Sequence, residues 1–130
     1  AQARAVRRHI ENRQREFPHN KLIVAGDFND FDFAEPQEGS DHPLALIKGL
    51  KTPDPLVNLL PIFEKNPFTY MHKGNCILLD HVLISTNLKQ HVQAVKAVHI
   101  NTLWGRDYRQ RDDDPRGSSD HDPIIVDFTL

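Results

Sequence analysis

Three short segments of the chain place acid, amide and imidazole side chains beside runs of apolar residues. They are residues 26–30 (GDFND), 79–81 (LDH) and 119–123 (SDHDP). Each adjoins a run that is typical of a buried strand. A carboxylate at the mouth of an apolar sheet is costly to keep there unless it is paired or bound to a metal. The recurrence of this pattern in three places therefore indicates metal-assisted phosphate ester chemistry.

The first segment combines a carboxylate with a carboxamide. Residues two apart in a strand share a face, so Asp27 and Asn29 point the same way if the strand runs on through Phe28. Asp27 would then hold or activate a water, and Asn29 would donate to a phosphate oxygen as charge builds on it. Because Gly, Asn and Asp also form turns, a plain turn is an equally good interpretation of this segment taken alone.

The second and third segments add an acid and an imidazole. Asp80 lies among aliphatic residues and needs a partner, and by accepting a hydrogen bond from an imidazole it would fix the tautomer of that ring. The alternative for Asp80 is an edge-strand charge that discourages aggregation. In the third segment, Asp120 could bind a metal while His121 meets the substrate and stabilises a developing oxyanion. A capped turn before a strand is the alternative there.

Two other segments have weaker signals. Residues 40–43 (SDHP) nearly repeat the third segment, but a helix-like run follows them, so we interpret them as helix-capping or surface residues. The other, over residues 104–109, interleaves aromatic and basic residues at Trp104, Arg106, Tyr108 and Arg109. Such residues can stack on bases and pair with phosphates. A solvated loop with one anchoring aromatic is the slightly favoured alternative.

The remaining pattern predicts the elements that must position these side chains. Helical spacing of apolar residues predicts a helix at the start of the chain, and Pro43 suits the first position of a second helix. The predicted segments are a helix over residues 3–17, a strand over 22–25, a helix over 44–50, a hairpin of 68–72 and 76–85 around the turn 73–75, and strands over 91–100 and 124–130. Because most strands are hairpin-connected, we expect an α/β fold with largely antiparallel or mixed sheets.

Composition narrows the function classes. The 130 residues fit one domain, and 38% apolar with 26% charged residues is typical of a globular chain. A net charge of −2 gives no overall attraction to nucleic acid, so a polyanion would need a local basic patch. No apolar run approaches the roughly 20 residues that span a bilayer, so no membrane span is predicted. The single cysteine, Cys76, excludes an intramolecular disulfide and leaves the cellular compartment open.

Taken in order, the three segments resemble the endonuclease/exonuclease/phosphatase superfamily, the DNase I-like metal phosphodiesterases. The resemblance rests on residues 22–29, 79–85 and 119–124, and residues 99–101 make bacterial nuclease-like members the most similar. It implies a four-layered α/β/β/α sandwich with two sheets packed face to face. It also implies that Asp27 orients the attacking water, Asn29 contacts the scissile phosphate, Asp80 holds the other nitrogen of His121, His121 contacts the phosphate, and Asp120 binds Mg²⁺ or Mn²⁺.

One departure from the family pattern is large. The N-terminal half of the family domain supplies an Asn and a metal-binding Glu, and the chain has neither in the expected setting. We therefore expect residues 1–130 to be the C-terminal part of the domain, to have little activity alone, and to expose an apolar sheet face to the missing half or to a second copy.

The leading hypothesis is divalent-metal-dependent hydrolysis of phosphate esters, above all the phosphodiester bonds of DNA or RNA. Two alternatives within this superfamily remain open. One is a non-catalytic member or fragment that binds or assembles, and the other is a lipid or inositol phosphatase or phospholipase. A zinc hydrolase is a weaker third hypothesis, because the eight histidines show no paired zinc-binding spacing.

Overall fold

The computed structural model describes residues 1–32, 42–104, 113–114 and 116–129. Its helices are α1 (Gln2–Glu16), α2 (Pro43–Lys48) and α3 (Leu60–Phe63), with a 3₁₀ helix at Thr86–His91. Its strands are β1 (Ile23–Asp27), β2 (Val57–Asn58), β3 (Tyr70–His72), β4 (Asn75–Ile77), β5 (Asp80–Ile84), β6 (Val92–Ala97) and β7 (Ile124–Phe128). None of the described helices is long and apolar enough to cross a membrane.

The central sheet has the strand order β1-β5-β2, and both pairings are antiparallel. Successive strand residues point to opposite faces, so the sheet buries two different sets of side chains. Leu83 packs with Ile10 of α1 and Leu44 of α2 in one cluster. Val82 and Ile84 pack on the other side in a second cluster, which includes residues of β6 and β7. The described elements therefore form a helical layer, a central sheet and a second sheet, as expected for an α/β fold with antiparallel sheets.

Both predicted helices are present, and their ends follow from local chemistry. α2 begins with proline at its first position and is capped at its C-terminus by Gly49, whose left-handed φ of 70° favours glycine. Arg7 of α1 is buried against this end. Its guanidinium donates to the carbonyl oxygens of Ile47 and Lys48 at 3.3 Å each and so satisfies the last carbonyls of α2.

The predicted hairpin is present, but its second strand is shorter than expected. β3 and β4 pair around Lys73 and Gly74, whose φ values of 48° and 82° suit a tight two-residue turn. The sequence predicts one continuous strand over residues 76–85, which is wrong, because β4 ends at Ile77 and a separate strand begins at Asp80. The hydroxyl of buried Thr69 accepts the backbone N–H of Asp80 at 3.2 Å, so the chain can leave the hairpin and join the central sheet.

The second sheet pairs β6 with β7 in antiparallel register. Val95 and Ala97 face the central sheet and are buried, whereas Lys96 and Ile125 point outward and are exposed. The predicted strand over residues 91–100 is also too long. It begins after the 3₁₀ helix and ends at Ala97, after which the chain turns toward the segment that carries His121.

Candidate active site

Two carboxylates lie opposite each other at one end of the central sheet. Asp27 is the last residue of β1, Asp80 is the first residue of β5, and the two are register partners in the antiparallel pair. Such partners point to the same face with their Cβ atoms about 5 Å apart, and like charges there repel. This end of the sheet therefore favours a positive group between the two carboxylates.

His121 supplies an imidazole at this position. Its Nδ1 lies 2.7 Å from Oδ2 of Asp80, and its backbone forms an isolated β-bridge with Tyr70. Its ring lies 4.9 Å from the Tyr70 ring between centroids. One ligand atom each from Asp27, Asp80 and His121 all fall within 4.8 Å of one another. The three sequence segments thus meet at one place, which we call the Asp–Asp–His cluster.

The electrostatics of the cluster act on the imidazole. Burial alone would lower the pKa of His121, but the hydrogen bond and charge of Asp80, with the charges of Asp27 and Asp120, outweigh it and raise the pKa. The charged, doubly protonated ring therefore persists to a higher pH than in an unperturbed histidine. In that form Nδ1–H donates to Asp80 and Nε2 carries the second proton.

Asn29 is brought to the cluster by a turn and not by a strand. Of the two interpretations that the sequence left open, a continuing strand and a turn, the structure has the turn, because β1 ends at Asp27 and Asn29 has a φ of 48°. The backbone N–H of Asn29 donates to Oδ1 of Asp27 at 2.8 Å, and its Nδ2 lies 3.3 Å from Oδ2. This is a turn in which an Asp side chain accepts the N–H two residues on, a geometry that Asn tolerates. The amide therefore lies beside the carboxylate of Asp27.

The other predicted site residues are not among the three clustered side chains or lie outside the described part of the chain. Asp120 is exposed and is not among the three clustered ligands, so its role as a metal ligand stays a prediction. The Arg116 guanidinium lies over the Trp104 ring, 4.2 Å from its centroid. The other three predicted substrate-binding residues, Arg106, Tyr108 and Arg109, lie outside the described residues. In the near-repeat, His42 occupies the N-cap position of α2 without a side-chain capping hydrogen bond, and Asp41 lies outside the described residues.

The endonuclease/exonuclease/phosphatase family model matches residues 1–121. The chain belongs to this family. Its membership assigns it to metal-dependent hydrolysis of phosphate esters in general. No curated protein and no solved structure matches the chain.

The cluster suits the divalent metal that the family uses. Asp27 and Asp80 would hold the ion, because two facing carboxylates offer the hard oxygen ligands that such cations prefer. The ion would also relieve the repulsion between them. When bound, it would neutralise phosphate charge and lower the pKa of a coordinated water.

Sequence reasoning missed Asp122, whose side chain is fully buried behind His121. One of its oxygens accepts the backbone N–H groups of Asn101 and Thr102 at 2.9 and 3.0 Å. The other accepts Nδ1 of His99 at 2.7 Å and the Thr102 hydroxyl. Asn101 also donates to the His121 carbonyl at 2.6 Å. The signal in the sequence is the set of polar residues at positions 99, 101 and 102 shortly after a strand, which offers several donors to one acceptor.

Asp122→Asn should lower the free energy of unfolding by about 2 kcal/mol, the scale of a lost charge-assisted hydrogen bond. Burial alone would raise the pKa of Asp122, but hydrogen bonds from Thr102, His99 and the backbone outweigh it and lower the pKa. An amide would turn an NH₂ donor toward groups that already donate. Urea unfolding measures the change, with Asp127→Asn at an exposed position of β7 as the matched control. Equal midpoints for the two variants would contradict the assignment.

The raised pKa of His121 predicts a pH-dependent contribution to stability. A group whose folded-state pKa is raised stabilises the folded state below its unfolded value of 6.5, and this contribution is lost as the pH rises through the folded value. Urea unfolding with a metal chelator present at pH 5.5, 6.5, 7.5 and 8.5 should therefore show wild type losing stability relative to His121→Gln. A difference that does not change with pH would rule out the ion pair with Asp80.

Proposed function

We propose that the protein carrying this chain is a divalent-metal-dependent phosphodiesterase that cleaves nucleic acid, with its reaction centre at the Asp–Asp–His cluster. The observation that carries the proposal is the meeting of Asp27, Asp80 and His121 within 4.8 Å at one end of the sheet. These residues come from three separate segments of the chain. A surface acid–histidine pair formed by chance would not need all three.

In this proposal the two carboxylates that would hold the ion also act on other groups. Asp27 orients the attacking water with the acceptor positions that its bonds to Asn29 leave open. Asn29 Nδ2 reorients from Asp27 to a phosphate oxygen as negative charge develops there. His121 donates from Nε2 to the phosphate or to the leaving oxygen, while Asp80 holds Nδ1 and fixes the ring. Asp120, one residue from His121, adds negative charge and a candidate metal ligand.

The proposed ion is Mg²⁺ or Mn²⁺. The two carboxylates favour these hard cations over zinc, whose protein sites are built mainly from histidine and cysteine, because His121 acts as a hydrogen-bond donor in this proposal and not as a ligand. The single cysteine, Cys76, is exposed in β4 and does not belong to the cluster. Nucleic acid as the substrate is supported by the aromatic and basic residues from Trp104 to Arg109, which precede the segment of His121 in the chain.

The test is a hydrolysis panel with DNA, RNA, inositol phosphates and sphingomyelin. The 130-residue chain and the complete gene product are assayed side by side with Mg²⁺, with Mn²⁺, and with a zinc-selective chelator. We expect cleavage of DNA or RNA that needs Mg²⁺ or Mn²⁺ and is insensitive to zinc chelation. His121→Ala is the low-activity control. Preference for the lipid or inositol substrates would overturn the nucleic acid assignment, and metal-independent turnover would overturn the mechanism.

A further inference from the structure

The turn that carries Asn29 continues into Asp30, whose polar groups are bound from two other elements. Asp30 is buried, and its Oδ2 accepts the backbone N–H of Leu44 in the first turn of α2 at 2.8 Å. Its carbonyl oxygen lies 2.9 Å from Nε2 of His81 in β5. The residue directly after Asn29 is thus fixed to a helix and to the central strand.

His81 is fully buried, and its contacts define which ring nitrogen carries the proton. Nε2 faces a carbonyl oxygen and must donate. Nδ1 faces Nδ2 of Asn58 at 2.9 Å, and that amide nitrogen also donates to Oδ2 of Asp32 at 2.8 Å. Because Asp32 fixes the orientation of the Asn58 amide, Nδ1 of His81 accepts. The neutral ring with its proton on Nε2 satisfies every contact.

The hydrogen bonds of His81 extend through Asn58 to Asp32, at the far end of the turn. Asp32 forms an ion pair with Lys48 of α2 in addition to its bond from Asn58 of β2. His81 therefore links Asp30 directly, and Asp32 through Asn58, to the sheet that carries Asp80. Asp80 and His81 are neighbours in β5, so their side chains point to opposite faces. One face receives the cluster carboxylate, and the other holds the turn that presents Asn29.

We propose that His81 is a positioning residue for the Asn29 turn, acting through its Nε2–H bond to the Asp30 carbonyl. The catalytic meaning of this role rests on the function proposed above, whereas the positioning itself does not. His81 touches neither Asp27 nor Asn29 through a hydrogen bond of its own. Its effect on the site passes through the backbone of Asp30 and through the Phe28 ring, which meets the imidazole edge-on at 5.8 Å between centroids.

Two substitutions separate positioning from simple filling of space. His81→Gln places a neutral donor near the Nε2 position, whereas His81→Phe fills the volume with no donor or acceptor. Amide hydrogen exchange is measured at Asn29 and Phe31, whose N–H groups bond to Asp27 and Asp30. We expect exchange at both amides to become about tenfold faster in His81→Phe and to stay near wild type in His81→Gln, with the β5 amides unchanged as the internal control.

Wild-type exchange at Asn29 in His81→Phe would overturn the proposal, and so would failure of His81→Gln to restore it. If His81→Phe does not fold, His81→Asn replaces it, because its amide reaches only the Nδ1 position and loses the bond to Asp30. In the active protein we also expect kcat to fall in His81→Phe with KM unchanged. Exchange needs no turnover, so a chain that hydrolyses nothing would refute the proposed function and still test the role of His81.

Discussion

His121→Ala should reduce kcat for phosphate ester hydrolysis by at least about 10²-fold in the complete protein, the range seen when a preorganised donor is removed. The substitution removes the Nε2 donor and leaves Asp80 opposite Asp27 with no imidazole between them. The raised pKa means that the wild-type ring holds its proton to a higher pH than an unperturbed histidine, which favours its role as a donor. Initial rates at saturating metal and substrate measure the loss as kcat.

Two further variants serve as comparisons for the kcat of His121→Ala. Asp80→Asn keeps the His121 ring but replaces the charged partner of Nδ1, so we expect an intermediate loss of kcat and a lower kinetic pKa. His91→Ala removes a histidine at the other end of the β6–β7 pair, far along the strands from His121, and should leave kcat unchanged. Wild-type turnover in His121→Ala would show that its imidazole takes no part in the reaction.

Asn29→Ala should reduce kcat by roughly 10²-fold, the cost of losing a single oxyanion donor in other hydrolytic sites. The amide that would donate to the phosphate is the one that contacts Asp27 in this structure, so the substitution also frees the Asp27 carboxylate. KM should change less than kcat, because the donor acts mainly on charge that develops in the transition state.

The positive φ of Asn29 requires a control for backbone strain. Alanine is disfavoured at a φ of 48°, so Asn29→Gly, which tolerates it, should lose as much turnover if the amide matters. Asn66→Ala introduces the same strain at a φ of 54° outside the cluster and should cost stability but not turnover. His42→Ala, in the near-repeat, should be nearly silent for chemistry. Recovery of kcat in Asn29→Gly would mean that strain caused the loss.

The sequence predicts which of the candidate site residues come together better than it predicts the strand ends around them. Asp27, Asp80 and His121 each adjoin an apolar run, so local pattern alone brings them to strand ends. The end of β1 is not predictable in this way, because Gly-Asp-Phe-Asn suits a strand or a turn equally, and the Asp27–Asn29 hydrogen bonds decide for the turn. The break between β4 and β5 depends on Thr69, about ten residues earlier, and no local pattern encodes it.

The supporting residues were missed for a related physical reason. Asp122 accepts hydrogen bonds from the backbone of residues 101 and 102, and His81 is hydrogen-bonded to both Asp30 and Asn58. Both residues therefore act across long sequence separations. Their burial cannot be inferred from polarity, since a polar side chain is buried only when its partners are provided elsewhere. The metal role of Asp120 and the incompleteness of the domain stay predictions.

The exposure of β1 has a consequence for how the protein loses activity on heating. Among the described residues, β1 pairs only with β5, and all of its residues except Val24 are exposed. Strands with so few contacts open locally at lower free energy than the core. Asp27 sits at the end of this strand, whereas Asp80 begins the buried central one. Warming should therefore detach Asp27 from its partners while the rest of the sheet is still intact, so that inactivation begins below the melting temperature and reverses on cooling.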